Sequence, residues 1–293
     1  MRVIVPTPSP PNGHRAASRY GDLVIPLRDD NPTRRSAVVT LALVTFTTLV
    51  WLLVQPHGRA PVVDLGRTSP SLDFGTSAAG RDLAFNLAWA AVPCEVSERR
   101  PLTNGEVVAT FERGDDRACR RGDPSPTAAT ETFPPKSVPQ SLLVSMFLHG
   151  GLLHLAGNML FLWIFGNNIE DSFGRFAYTA FYVAAGLVAT LAHVLVAPDS
   201  TVPVVGASGA IAAIMGAYLV LYPRARVTTL IAVIVIPFVA RVRAVWLLGF
   251  WFVSQFFLAP DSGVAWVAHV SGFAFGALVG LLVTVRRRPR PRG

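Results

Sequence analysis

Residues 204–222 read VVGASGAIAAIMGAYLVLY, an apolar run with a serine, Ser208, near its start. A run of this kind has close to the roughly 20 residues a helix needs to cross a bilayer. Alone, Ser208 between Ala207 and Gly209 reads as a packing residue, because small residues line helix contacts in lipid. Two other runs change its weight. Residues 149–161, HGGLLHLAGNMLF, put His154 and Asn158 one helical turn apart, and residues 265–280, AWVAHVSGFAFGALVG, carry His269. A hydroxyl, a base and amide or imidazole donors are the groups acyl transfer requires.

The composition agrees with a membrane setting. The 293 residues are 51% hydrophobic and 15% charged, with a mean hydropathy of +0.44. Soluble domains carry about a quarter charged residues. The formal net charge is +8, almost all of the cation is arginine, and Lys136 is the only lysine. The arginines flank apolar runs and form no basic helix face, so the charge is read as topology and no nucleic-acid partner is expected. The first apolar run begins only at Ala37, and no cleavable signal peptide is expected.

Residues 1–36, rich in Pro and Arg, read as a disordered tail. Ala37–Val54 is a first span, and residues 55–140 form a large polar segment in which Leu83–Val92 reads as an interfacial amphipathic helix. Cys94 and Cys119 both fall in that segment, as a disulfide or as two free thiols, and neither has the partner base of a catalytic thiolate. Five further spans follow, about Leu142–Phe165, Phe176–Ala197, Val204–Tyr222, Ala244–Ala259 and Val264–Val285. The run Val227–Ala240 is too short to span, contains Pro237 and lies between Arg226 and Arg241; it reads as re-entrant or interfacial. Arg34 and Arg35 precede the first span and Arg286, Arg287 and Arg288 follow the last, so six spans put both termini in the cytoplasm, with 286–293 a basic tail.

In this arrangement the second, fourth and sixth spans run from outside to inside, and Ser208 and His269 lie in the outer half of the membrane. A helix start at Gly150-Gly151 brings His154 to the same depth and leaves Leu142–His149 as a surface loop or short helix. Gly272, Gly276 and Gly280 make a ladder on one helix, and Ser208, Ala212 and Gly216 a stripe on another; such stripes allow backbones to approach closely.

These motifs resemble the rhomboid family of intramembrane serine proteases. The resemblance rests on HGGLLHLAGN, GASG and AHVSGFAFG in this order, with support from VIPLRDDNPTRR, GNNIEDSFGR, YPRARV and WFVSQ, and covers roughly residues 24–285. It implies an all-α, six-helix membrane domain over 37–285 with a large first outer loop, and an endopeptidase with a Ser–His dyad. Ser208 is implied as nucleophile and His269 as general base. His154 and Asn158, with the Ser208 backbone N–H, are implied as oxyanion donors, and Gly206 as the residue that lets the loop ahead of Ser208 fold tightly. Glu170 is implied to belong to a structural loop outside the site.

No metal or organic cofactor is implied. The expected partners are single-span membrane proteins and the bilayer, and the expected location is a bacterial plasma membrane. The chain departs from the family pattern at Ala212, where many members have an aromatic residue against the histidine, and in lacking a Trp-Arg pair in the outer loop.

Two other readings compete. A rhomboid-like scaffold that binds helices without cutting them is expected to lack the Ser or the His, and this chain has both. A metal-binding protein using His149, His154, His193 and His269 would need ligands on one face, but His149 and His154 are five residues apart and face differently. His149 and His193 read as structural. Asp199 and Asp261 lie in surface loops, and neither is read as a third catalytic member.

Overall fold

In a computed structural model, the described residues are 23–56, 78–119, 131–133, 135–233, 236–258 and 264–287. In chain order the elements are β1 (Leu23–Asp29), α1 (Val38–Leu53), α2 (Ala78–Trp89), α3 (Pro93–Glu98), α4 (Asn104–Phe111), α5 (Val138–Val144), α6 (Leu152–Phe173), α7 (Arg175–Val196), α8 (Ser208–Leu221), β2 (Arg226–Val233), β3 (Ile236–Arg243), α9 (Ala244–Ser254) and α10 (Trp266–Arg287). Short 3₁₀ turns extend α5 through Phe147 and α9 through Phe257. Among the described residues, α6, α7 and α10 are long and apolar enough to cross a membrane, while α1, α8 and the extended α9 are apolar but shorter. The protein is mostly helical; among the described residues three helices reach spanning length, and Val138–Phe147 is a further short apolar helix beside the three shorter ones.

The chain divides into two compact units. The first draws its described residues from within Arg15–Phe46, Leu152–Ala189 and Ser208–Gly293. Its centre is α8, whose residues from Gly209 to Tyr218 are all buried. A helix apolar on every side has no solvent face to offer and belongs in the middle of its neighbours. α6, α9 and α10 all pack on it, α10 most extensively.

The contact between α8 and α10 is backbone against backbone. A Cβ added at Gly276 would collide with the Ala213 carbonyl, and one at Gly272 with the Gly209 carbonyl. Gly280 faces Ala217, where an added Cβ would stand 3.1 Å from its Cα. Gly216 answers from α8, lying against the Phe273 carbonyl of α10. The absence of side chains at these positions is what permits the approach.

The same unit corrects the all-α expectation, because it contains a three-stranded antiparallel sheet in the order β1-β2-β3. The run Val227–Ala240, expected to be re-entrant or interfacial, is most of a β-hairpin. Val227 and Thr229 alternate inward and are fully buried, while Arg226, Arg241 and Arg243 are exposed. This two-residue period, carried by β-branched residues, is that of a half-buried strand. Pro26 and Pro237 sit on the two edge strands, where the missing N–H costs no central ladder bond.

β1 also corrects the disordered tail from Leu23 onward; residues 1–22 lie outside the described residues. The segment after β1 is tied to the end of α6. Asn31 donates to Asn168 Oδ1 at 2.7 Å, and the Arg34 and Arg35 N–H groups donate to the Asp171 carboxylate at 3.0 and 3.1 Å.

Glu170 lies within α6 rather than in a loop. Its carboxylate accepts from Val39 N–H at 2.9 Å, Thr40 N–H at 2.8 Å and Thr40 Oγ1 at 2.8 Å. The first N–H groups of a helix have no intrahelical partner and carry the positive end of its dipole, so a buried carboxylate there caps α1 from another helix. Replacing it by Ala strands these donors away from water. We expect Glu170→Ala to lower stability by about 2–3 kcal/mol, read as an earlier unfolding transition in detergent, with Glu170→Gln in between.

The second unit draws on Thr47–Gly151 and Thr190–Ala207. The polar segment is folded over much of its described length. α2 replaces the expected Leu83–Val92 helix with one that starts at Ala78 and ends at Trp89. Cys94 and Cys119 form a disulfide, and they pack with Leu87, Val92, Leu102, Val107 and Phe133 in an apolar cluster. Thr103 and Glu106 make a capping box at the start of α4, and Arg100 pairs with Glu106 at 2.7 Å. The single lysine is buried. Lys136 Nζ donates to the Leu87 and Ala90 carbonyls at 2.7 Å each and to the Glu95 carboxylate. Burial is the largest influence on both members, pushing Glu95 up and Lys136 down from their ordinary values, with their mutual attraction opposing it.

Candidate active site

The first helical residue of α8 is Ser208. There its side chain and the unpaired first-turn N–H groups point out of the helix start, the end that favours negative charge. Opposite stands His269, in the first turn of α10. The glycine-mediated approach of the two helices brings His269 Nε2 to 2.8 Å from Ser208 Oγ.

The other ring nitrogen, Nδ1, is 2.8 Å from Gln255 Oε1 on the 3₁₀ turn that extends α9. The Gln255 amide nitrogen is occupied elsewhere, donating to the Trp251 carbonyl at 3.1 Å and to Ser254 Oγ at 3.3 Å. Trp251 itself lies beside the imidazole, with ring centroids 5.8 Å apart and 39° between planes. Ala212, where the resemblance implies an aromatic ring against the histidine, is fully buried in α8; the aromatic neighbour of His269 comes from α9 instead.

His154 and Asn158 occupy the first two turns of α6. The Tyr222 hydroxyl donates to the Asn168 carbonyl at 3.5 Å, and Phe165 packs edge-on against Tyr218 at 5.1 Å. Asn168 is as far along the chain from His154 as Tyr222 is from Ser208. The two helices run in the same direction, and His154 and Ser208 both lie in the first turn of their helices. Asn158 is buried and donates through Nδ2 to the His154 carbonyl at 2.8 Å. His154 is exposed. It lies in the first turn, at the end of the helix.

Gly206 belongs to the second unit. Its φ of +126° is a backbone conformation that favours glycine, and its N–H donates to the Ser145 carbonyl at 2.9 Å. His149 is buried there as well, its backbone N–H and carbonyl both held by the Gln55 side chain at 2.8 and 3.1 Å. The donor atoms of Cys94, Glu106 and Cys119 also cluster, but the two sulfurs are bonded to each other and the carboxylate serves Arg100 and Thr103. A metal would need free thiolates there.

Gln255 is the residue that reasoning on the sequence left without a role. The signal was present in the motif WFVSQ: a lone amide at the end of an apolar run needs a polar partner once buried.

The family model of the Rhomboid domain matches residues 138–286, which hold every residue of this constellation. The mitochondrial presenilin-associated rhomboid-like protein of Bos taurus is 35% identical over 98 residues, 33% of this chain and 25% of that protein. RHOMBOID-like protein 5 of Arabidopsis thaliana is 40% identical over 78 residues, 27% of this chain and 25% of its own length. Rhomboid protease GluP of Bacillus subtilis (strain 168) is 40% identical over 78 residues, 27% of this chain and 15% of that protein. The matched part thus spans a quarter or less of the length of these relatives. With a family model matching half of its length, over the helices that carry Ser208 and His269, the chain belongs to the rhomboid family.

Proposed function

We propose that the protein is an intramembrane serine endopeptidase that hydrolyses peptide bonds in or next to transmembrane segments of single-span membrane proteins. The observation that carries this reading is the 2.8 Å contact between Ser208 Oγ and His269 Nε2 at the starts of two closely packed helices. In the proposed reaction Ser208 Oγ attacks the scissile carbonyl carbon as its proton passes to His269 Nε2. The tetrahedral oxyanion faces the Ser208 backbone N–H, His154 and Asn158, and the α8 N-terminus favours its charge. Collapse breaks the C–N bond, and His269 returns the proton to the leaving amine. A water then attacks the acyl-serine ester, with His269 again taking and returning a proton, which releases the new carboxyl end and restores the hydroxyl. The chemistry calls for no metal or organic cofactor.

The orientation follows from charge. Arg224 and Arg226 come after the far end of α8, and Arg286 and Arg287 close α10, so the Ser208 end of both helices faces away from the arginines. By the positive-inside rule both termini are cytoplasmic and the site opens outward, with a bacterial plasma membrane as host. The Cys94–Cys119 disulfide fits an oxidising compartment for the segment between α1 and α6. A substrate helix hides its carbonyls in hydrogen bonds, so residues that weaken the helix near the cut favour cleavage.

The test is cleavage of a single-span substrate with small residues near its outer end, by purified protein in liposomes. We expect wild-type protein to cut it and Ser208→Ala to bind without cutting. Equal cutting by both would assign the activity to a contaminant and overturn the reading.

A further inference from the structure

We propose that Gln255 is a positioning residue that holds His269 in the tautomer with its proton on Nδ1, so that the Nε2 lone pair faces Ser208. This rests on the reading of Ser208 and His269 as nucleophile and base. It goes beyond that reading in assigning the group that takes the place of a triad's carboxylate.

The argument is one of donors and acceptors. An amide's oxygen and nitrogen have nearly the same shape, so which end faces the imidazole must come from the hydrogen-bond network. Turned around, Gln255 would set its oxygen against the Trp251 carbonyl, acceptor against acceptor, and lose the bond of 3.1 Å found there. It would also offer its NH₂ to His269 Nδ1, forcing the imidazole proton onto Nε2. The orientation with Nε2 of the amide on Trp251 satisfies both ends and leaves Oε1 toward Nδ1 at 2.8 Å.

Oε1 can only accept a hydrogen bond, so Nδ1 donates it and carries the hydrogen, and Nε2 carries the lone pair. That lone pair meets Ser208 Oγ at 2.8 Å, the geometry in which a hydroxyl can give up its proton.

Burial and neighbours hold the amide in place. Gln255 is 6% exposed. Ser254 Oγ donates to the same Trp251 carbonyl at 2.6 Å, and Trp251 packs beside the ring. The C-terminal turn of α9 is thus a bracket: one residue lies beside the imidazole and its fourth neighbour fixes the proton. A neutral amide does this without burying a carboxylate among apolar helices, where an ionised acid is expensive. When His269 takes the serine proton, Oε1 still accepts from Nδ1–H and steadies the imidazolium. Its effect is smaller than that of an anion.

The experiment uses the full chain in detergent micelles with three readouts. These are the kcat and KM for a single-span substrate, the rate of Ser208 labelling by a fluorophosphonate, and the ¹⁵N shifts of the His269 ring. Gln255→Met keeps length and burial without the acceptor; Gln255→Glu keeps an acceptor.

For wild type we expect the shifts of an Nδ1–H imidazole. Gln255→Met should lower kcat and the labelling rate by about tenfold or more, leave KM within about twofold, and shift the ring toward the other tautomer. Gln255→Glu should keep the Nδ1–H signature and restore most of the labelling rate. An Nε2–H ring in wild-type protein overturns the proposal, as does a Met variant that matches wild type in labelling and in ring shifts. The ring measurement needs no turnover. If wild type neither cuts nor labels, the protease reading fails, while the tautomer still decides what Gln255 does. It also stands should the Met variant not fold.

Discussion

Ser208→Ala and His269→Ala are each expected to lower the rate of peptide hydrolysis by about 10⁴- to 10⁶-fold, and the double variant by no more than either alone. The reason lies in the shared proton. On the proposed mechanism, the hydroxyl without His269 has no acceptor at 2.8 Å and attacks as a neutral alcohol, and the base without Ser208 has no nucleophile to activate. Either loss removes the same step, so the two losses do not add. Initial rates over the four-protein cycle, with substrate binding followed separately, measure this. Binding should survive in all four, since neither group is required to hold a substrate helix. Losses that multiply would show that the residues act in different steps, and the pairing in the structure would then be structural only.

The two ends of this pair were legible in the sequence because each stands in an apolar run that makes polarity conspicuous. Ser208 with its flanking small residues, His269 ahead of a glycine ladder, and His154 and Asn158 one turn apart all stand out against Leu, Val and Ala. Gln255 did not: WFVSQ counted only toward the family resemblance, because its bond to His269 joins two elements and no local period announces it. The sheet was hidden for a related reason. The run from Val227 to Ala240 is almost continuously apolar, and its inward alternation of Val227 and Thr229 shows only when β1, some two hundred residues earlier, pairs beside it. A single strand of mixed Val, Thr and Ile carries no mark of the partner that completes it. The segment between α1 and α6 escaped for lack of apolar runs. Its core is made instead by short helices around a disulfide, with a buried lysine beside them, and these are contacts of a kind spacing does not reveal.

Gly276→Val is expected to disrupt both stability and the site, although it lies two helical turns beyond His269 and touches no reacting atom. A Cβ at this position falls on the Ala213 carbonyl and comes within 2.6 Å of the Ala213 Cα. Neither can rotate away, because both are backbone of the buried α8. The helices must part, and the displacement passes along α10 to His269 and along α8 to Ser208. A hydrogen bond of 2.8 Å has little room to stretch before it is lost. Overpacking of a tight core costs about 1–3 kcal/mol where side chains can yield, and here the obstacle is main chain, so the upper end is expected.

The contrast within the protein makes the test sharp. Gly249 in α9 has open space where its Cβ would go, and Gly249→Ala should be neutral or stabilising by up to about 1 kcal/mol. Gly280→Ala, with its nearest contacts at 3.1 Å, should fall between them. Thermal unfolding in detergent should rank the three as Gly249→Ala, Gly280→Ala, Gly276→Val from most to least stable, and fluorophosphonate labelling of Ser208 should follow the same order. If Gly276→Val unfolds and labels like Gly249→Ala, the close approach of α8 and α10 is not what holds Ser208 against His269. If it loses labelling while keeping stability, the glycine serves the register of the pair more than the cohesion of the bundle.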